Sequence, residues 1–207
     1  MAEDFNCPNC GGELSRKVSQ SKMVACPYCD STVLLEDDVV KLAGKGGVMA
    51  EEPSLFVLGR HVDYEGESYM PIGHARFSYS SGWWDEFWAL DGKGDGVWIS
   101  VDEGDIAIED THPTSEKLDE SELRLGARVS FEDETFRVTE VDQGTCEALR
   151  GEFPDEMVVG DTFKYYHLSG PRGRLVTLEF EDGEMFATEG QWIDPYEIRQ
   201  QAIEAEA

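Results

Sequence analysis

Leu58-Gly59-Arg60-His61-Val62-Asp63-Tyr64-Glu65-Gly66-Glu67-Ser68-Tyr69 decides the fold, because its pattern occurs twice. Leu125-Gly126-Ala127-Arg128-Val129-Ser130-Phe131-Glu132-Asp133-Glu134-Thr135-Phe136 repeats it as Leu-Gly-x-x-Val-x-aromatic-Glu-x-Glu-x-aromatic, at a constant offset of 67. The pattern describes a hairpin. Val and the first aromatic lie on one face of a strand, an acidic or glycine turn reverses the chain, and the second aromatic opens the return strand. Short alternating segments and tight turns continue after each copy, at Asp91-Gly92, Glu103-Gly104, Ser169-Gly170-Pro171 and Asp182-Gly183. The expectation is a mostly β chain with two tandem small β-barrel-like repeats, residues 55–110 and 122–193, joined by a polar connector at 111–121. At the C-terminal end, Asp194 as cap, Pro195 at the first helical position and Glu197 closing a capping box predict a short helix over 194–207.

The chain upstream of the repeat is of another kind. Cys7-Pro8-Asn9-Cys10 and Cys26-Pro27-Tyr28-Cys29 are two Cys-x-x-Cys pairs separated by 15 residues, the spacing of a structural zinc site. Each pair can hold one metal ion from a tight turn, and two such turns complete a tetrahedron of thiolates. Gly11 provides a left-handed backbone position after the first pair, and Asp30 is its counterpart after the second. The arrangement looks like a zinc ribbon over residues 1–38, with Cys7, Cys10, Cys26 and Cys29 as ligands of a structural Zn²⁺. Four thiolates leave no open position for a catalytic water. Residues 39–54, with Gly44-Lys45-Gly46-Gly47, read as a linker. They lack the Gly-Lys-Ser/Thr ending of a phosphate loop.

Charge narrows the function classes. With 44 acidic and 17 basic residues, the formal net charge is −27. Nucleic-acid affinity rests on Lys and Arg displacing counterions, so this chain is a poor candidate for it. An anionic membrane surface is disfavoured for the same reason. No signal peptide and no apolar run of membrane-spanning length is expected, so no membrane insertion is either. Paired thiols kept reduced for metal point to the cytoplasm. The fifth cysteine, Cys146, reads as a small core residue.

One segment stands out as a candidate surface. In Gly82-Trp83-Trp84-Asp85-Glu86-Phe87-Trp88, strand alternation puts Trp83, Asp85 and Phe87 on one face and Trp84, Glu86 and Trp88 on the other. One face must be core. The other, taken as Trp84, Glu86 and Trp88, would present aromatic rings and a carboxylate to a cation, a polyamine or a basic peptide. The competing view is that all these rings fill cores. Asp85 and Glu86 point to opposite faces and cannot act as a paired acid and base. His61, His74, His112 and His167 are scattered, and no catalytic residues are assigned.

The order of these motifs, with Trp84-Asp85-Glu86-Phe87, Gly96-Val97-Trp98-Ile99 and Gly151-Glu152-Phe153-Pro154, resembles a bacterial family, the domain of unknown function numbered 4178, over about residues 55–193. That family has no established catalytic residues. The resemblance implies an association with membrane-stress proteins, ion channels and polyamine synthesis. Two functions are therefore expected. The first is a non-enzymatic zinc-binding adaptor, or protein-interaction module, that meets a protein partner in a bacterial membrane-stress or ion-channel-associated system. The alternative is a binding protein or enzyme for a small cationic, polyamine-like ligand that uses the Trp83–Trp88 strand. The oligomeric state is left open.

Overall fold

The computed structural model describes residues 3–36, 39–50, 53–114, 116–181 and 183–200. Strands β1 (Glu3–Asn6) and β2 (Glu13–Arg16) flank the first cysteine pair. Strands β3 (Met23–Ala25) and β4 (Ser31–Glu36) flank the second, and β5 (Val39–Lys45) pairs with β4. The repeated hairpins follow as expected in position. The first is β6 (Val62–Tyr64) with β7 (Glu67–Ser78). After β8 (Trp83–Leu90), β9 (Gly96–Asp102) and β10 (Asp105–Thr111), the second is β11 (Arg128–Phe131) with β12 (Glu134–Phe153). Strands β13 (Thr162–Ser169), β14 (Arg174–Glu181), β15 (Glu184–Ile193) and β16 (Arg199–Gln200) complete the sheet.

The two halves build one barrel, not two. Its order is β7-β8-β9-β10-β15-β14-β13-β12, antiparallel throughout, and it closes where β12 pairs with β7 from Cys146↔Phe77 to Gly151↔Gly73. The reason is edge satisfaction. A four-stranded meander has two open edges, and eight strands are the number that closes with an interior just wide enough to fill. Each half therefore pairs its two edges with those of the other. The β7–β12 crossing is tight enough to require glycine: a Cβ on Gly151, at φ +81, would lie 2.1 Å from the Ile72 carbonyl oxygen.

The barrel's outer faces are apolar and covered. Phe87, Ala89, Val97, Ile99 and Ile106 pack with Phe56 and Val62 on one side. Val138, Tyr166, Leu168, Val176 and Leu178 pack with Val129 and Phe131 of the second hairpin on the other. Each repeated hairpin thus folds over the outside of its own half.

Two further expectations are corrected. The stretch expected as a linker holds strand β5, then Gly46 and Gly47, which dock on β12. The Leu149 amide donates to the Gly46 carbonyl at 2.7 Å, and the Arg150 guanidinium donates to both glycine carbonyls. With Val24 and Met23 also paired to Glu152 and Phe153, the ribbon sheet continues the barrel strand β12. The C-terminal helix is also replaced. Asp194 does cap, accepting from the Tyr196 amide at 2.9 Å, but it caps a single 3-10 turn, Pro195–Glu197. Ile193 and Ile198 are both drawn into the outer core. Arg199 and Gln200 then pair with the free edge of β6, satisfying backbone groups that a helix would leave exposed. The remaining helix positions, 201–207, lie outside the described residues. No helix among the described residues is long and apolar enough to cross a membrane.

The two hairpin turns are equivalent: Glu65 and Gly66 have φ of 48° and 89°, Glu132 and Asp133 of 47° and 65°. Two consecutive positive φ values are the mark of the hairpin turn that matches strand twist. Asp133 holds a conformation that glycine adopts without a Cβ penalty. Asp133→Gly is expected to raise stability by about 0.5 kcal/mol, read as a higher urea midpoint with unchanged m.

Candidate functional site

Two sites emerge, and strand β12 carries both, lining the barrel along its middle and meeting the ribbon at its end. The first is the cysteine set. The Cys7 amide donates to the Gly12 carbonyl at 2.8 Å and the Gly11 amide to the Cys7 carbonyl at 2.8 Å. The second turn copies this with Cys26 to Ser31 at 2.8 Å and Asp30 to Cys26 at 3.1 Å. Gly11 (φ 75°) and Asp30 (φ 56°) both take the left-handed position. The Gly12 amide points at Cys10 Sγ, and the Asn9 side-chain amide points at Cys29 Sγ. All four sulfurs lie within 4.8 Å of one another, with Cys7–Cys29 at 3.7 Å and Cys10–Cys26 at 3.8 Å. A tetrahedron with metal–sulfur bonds of about 2.3 Å has edges of about 3.8 Å, so the sulfurs are spaced to hold one thiophilic ion.

The second site is the barrel lumen. On β8 the alternation is as the sequence predicts, and the two carboxylates of that strand meet different surroundings. Asp85 faces outward, is 7% exposed, and accepts from Arg76 Nε at 2.8 Å and Nη2 at 2.9 Å, with His74 Nε2 at 2.9 Å. Glu86 faces inward and, among the described residues, accepts only from Trp84 Nε1, at 2.8 Å. Inside the barrel it meets Glu109 of β10 and Glu179 of β14, so the three carboxylates come from every second strand around the ring. Glu109 is 4% exposed and accepts from Thr177 Oγ1 at 2.7 Å and Thr188 Oγ1 at 2.9 Å. Glu86 and Glu179 are enclosed by protein and retain surface only toward the cavity between them.

That cavity runs along the barrel axis. Its wide end, 540 Å³, opens beneath residues 154–158 and is walled by Phe77, Trp98, Phe163 and Phe186. It narrows past the three glutamates to a 30 Å³ space beside Trp84, Tyr165, His167 and Trp192. This is room for one or two water-sized groups. At the narrow end Glu140 accepts from Tyr165 Oη at 2.7 Å and sits 2.9 Å from His167 Nδ1, which holds its carboxyl below the usual range. Burial pushes Glu86 up to about 7, with the Glu109 charge adding to it. Burial pushes Glu179 up to about 8, with Glu86 and Glu109 adding to it.

The structure brings Trp84 and Glu86 together at the lumen and separates Trp88 from them. Trp88 is 5% exposed in the apolar cluster beyond the wide end, its ring tilted at 54° to that of Trp98 5.1 Å away, with no partner for its indole N–H among the described residues. Sequence reasoning missed Glu109, Glu179, Glu140 and His167. The signal for two of them was present: Glu109 alternates with Ile106 and Ile108, and Glu179 with Val176 and Leu178, which marks strands whose apolar face is opposed by a polar one.

An antiparallel eight-stranded barrel, with an acidic lumen and a four-cysteine ribbon set onto one of its strands, defines the class of protein. Within it, residues 57–195 match the family model described as Domain of unknown function (DUF4178), and the chain belongs to that family. No curated protein and no solved structure matches the chain.

The raised carboxyls predict a pH-dependent stability with a definite sign. A Glu179 carboxyl that titrates near 8 in the fold, against an ordinary 4.5, binds its proton more tightly folded than unfolded. Its contribution is therefore full below about pH 4.5 and is lost as pH rises through 8. Glu179→Gln removes the loss. The melting temperature of the variant should match the parent at pH 4.5 and exceed it by a growing margin up to pH 9, measured by thermal scans across that range.

Proposed function

We propose that this chain is a binding protein that takes a small organic cation, of the polyamine kind, into the lumen of its barrel. The ribbon carries a structural Zn²⁺. One observation supports the reading above the others: five carboxyl groups surround the narrow part of the cavity and a further four its wide mouth, and no Lys or Arg is among the described residues lining either part. The other side clefts of the molecule each contain a Lys or Arg. Buried charges are normally paired, neutralised by protonation or bound to an ion, and a cationic ligand would hold Glu86, Glu109 and Glu179 in their charged form.

The geometry favours an extended organic cation over a metal ion. Among the described residues, only the four cysteines bring their ligand atoms within 4.8 Å of one another. The lumen carboxylates are strung along the axis and do not converge on a point. Ammonium groups on a flexible chain can meet carboxylates in turn, while methylenes lie against Trp84, Trp98 and Phe163. At the ribbon, the donor set and its spacing support zinc over harder cations, and reduced thiols support a cytoplasmic setting.

An adaptor role is the second reading. Tyr28, between Cys26 and Cys29, is 67% exposed beside the cleft between the ribbon and the barrel, where it can meet a protein partner. A membrane-stress or ion-channel complex is the setting this reading carries. The two are compatible, since that cleft and the lumen are different surfaces.

Calorimetric titration with an aliphatic triamine separates them. Saturable, one-to-one binding at 0.15 M salt is expected, weakened about tenfold or more by Glu86→Gln or Glu179→Gln, since a charge-assisted hydrogen bond contributes about 1.5–3 kcal/mol. Heat that fails to saturate and fades with salt would mean condensation on the acidic surface and would remove the ligand reading. Metal analysis of the purified chain should give one zinc per chain, with the four ribbon thiols unreactive toward a thiol reagent until a chelator is added.

A further inference from the structure

The ribbon and the lumen mouth are joined through one short segment, 17–22, which lies between the two cysteine pairs. The Lys17 amide donates to both oxygens of Glu152 at 3.0 Å, and Ser21 Oγ donates to Glu152 Oε2 at 2.8 Å. Glu152 is 3% exposed, so these are the groups that satisfy a buried carboxylate at the end of β12. The Lys22 amide donates to the Phe153 carbonyl at 2.8 Å, and Lys22 Nζ pairs with Asp155. Phe153 is followed directly by Pro154, Asp155, Glu156, Met157 and Val158, which form the rim of the wide end of the cavity. On its far side the rim is held by the barrel itself, Gly160 to the Cys146 carbonyl at 2.8 Å. One side of the mouth is therefore fixed by the barrel and the other by the ribbon.

We propose that metal at the cysteine site governs entry to the lumen, with the segment 17–22 as the coupling element. This rests on reading the lumen as a binding site. The ribbon's own buried cluster is Cys7, Leu14, Cys26 and Val33, two of which are metal ligands. So small a core does not hold its loops without the ion. Loss of metal frees β2, which pairs with β1, to part from β3, which β4 and β12 still hold, and withdraws the Lys17 amide from both oxygens of Glu152. A buried carboxylate that loses partners is less stable in place, so the end of β12 and the rim after it are loosened together. By linkage, a ligand that needs an ordered rim retains the metal as the metal retains the ligand.

Hydrogen exchange on the full chain, zinc-loaded and chelator-treated, tests the coupling without any ligand. Removing zinc is expected to speed exchange across 153–160 by about 5- to 150-fold, the usual span of coupling between sites, while amides of β9, β10 and β14 stay protected. Glu152→Gln, with zinc content and circular dichroism unchanged, should reproduce the fast exchange at the rim; Lys22→Ala is the milder second variant. An unchanged rim in the zinc-free chain overturns the proposal. A further arm measures the chelator-driven release rate of zinc with and without the aliphatic triamine: slower release is expected with it. If the zinc-loaded chain binds no triamine, the ligand reading fails on its own, and the exchange result still decides whether ribbon and rim are coupled.

Discussion

Strand β12 must satisfy its backbone against four different partners, and the rest of the structure depends on its doing so. Over twenty residues it pairs with β11, β13, β7 and β3 in succession. Buried amide and carbonyl groups have to be paired, and no single neighbour is long enough. The strand changes partners by bending. Register shifts between Val138 and Glu140 and between Cys146 and Ala148 mark where it does so, and bulges are the usual means of such a bend. Its first turn covers the outside of the barrel, its middle closes the ring, and its end carries the ribbon. A repeat that looked like two modules in the sequence is thereby made into one body.

Much of this was legible in the residues. The hairpins, the turns at Glu65-Gly66 and Glu132-Asp133, the cysteine tetrahedron and the facing of Trp84 with Glu86 all follow from local spacing. Local spacing says nothing about which edges pair, and so it offered two barrels where one exists. It also left open which face of a strand is inside. On β10 and β14 apolar positions such as Ile106 and Val176 lie outside under the hairpins while Glu109, Thr177 and Glu179 lie within, and on β8 Asp85 and Phe87 lie outside while Trp84 and Glu86 lie within. A short alternating strand obeys the same period in either orientation. Only the hairpin folding over its own half reveals that the apolar face is the outer one. The expected helix failed for a related reason: its capping chemistry at Asp194 is local and correct, while the free edge of β6 that captures Arg199 and Gln200 is distant in sequence.

A lumen lined this way works against the fold that contains it. Nothing in packing calls for Glu86, Glu109 and Glu179 on facing strands, where apolar residues would fill the interior and hold it together. The outward Asp85, one residue away, shows the ordinary solution, a carboxylate paired with the Arg76 guanidinium, with His74 Nε2 beside it. Carboxyl groups with perturbed titration gathered in one cavity are what the proposed binding site rests on. The local burden is bearable because two apolar cores lie on the outer faces and a third, around Phe77, Trp84, Leu149 and Phe153, fills the barrel beside the carboxylates.

The ribbon fits the same logic. A module whose four cysteines are spaced to hold a metal ion needs little core of its own, and so it can be attached where a strand end would otherwise stay exposed. Here the attachment falls at Glu152, immediately before the rim of the lumen. The buried ribbon residues Met23 and Leu34 pack in the same cluster as Trp88, Leu149 and Phe153, at the wide end of the cavity. A tethered cap that only covered an edge would need hydrophobic contact alone. A buried carboxylate receiving three hydrogen bonds from the ribbon loop is a directional joint, which loses its geometry when either side moves. Directional joints transmit displacement where greasy contacts yield, and this one lies between the metal site and the mouth of the barrel.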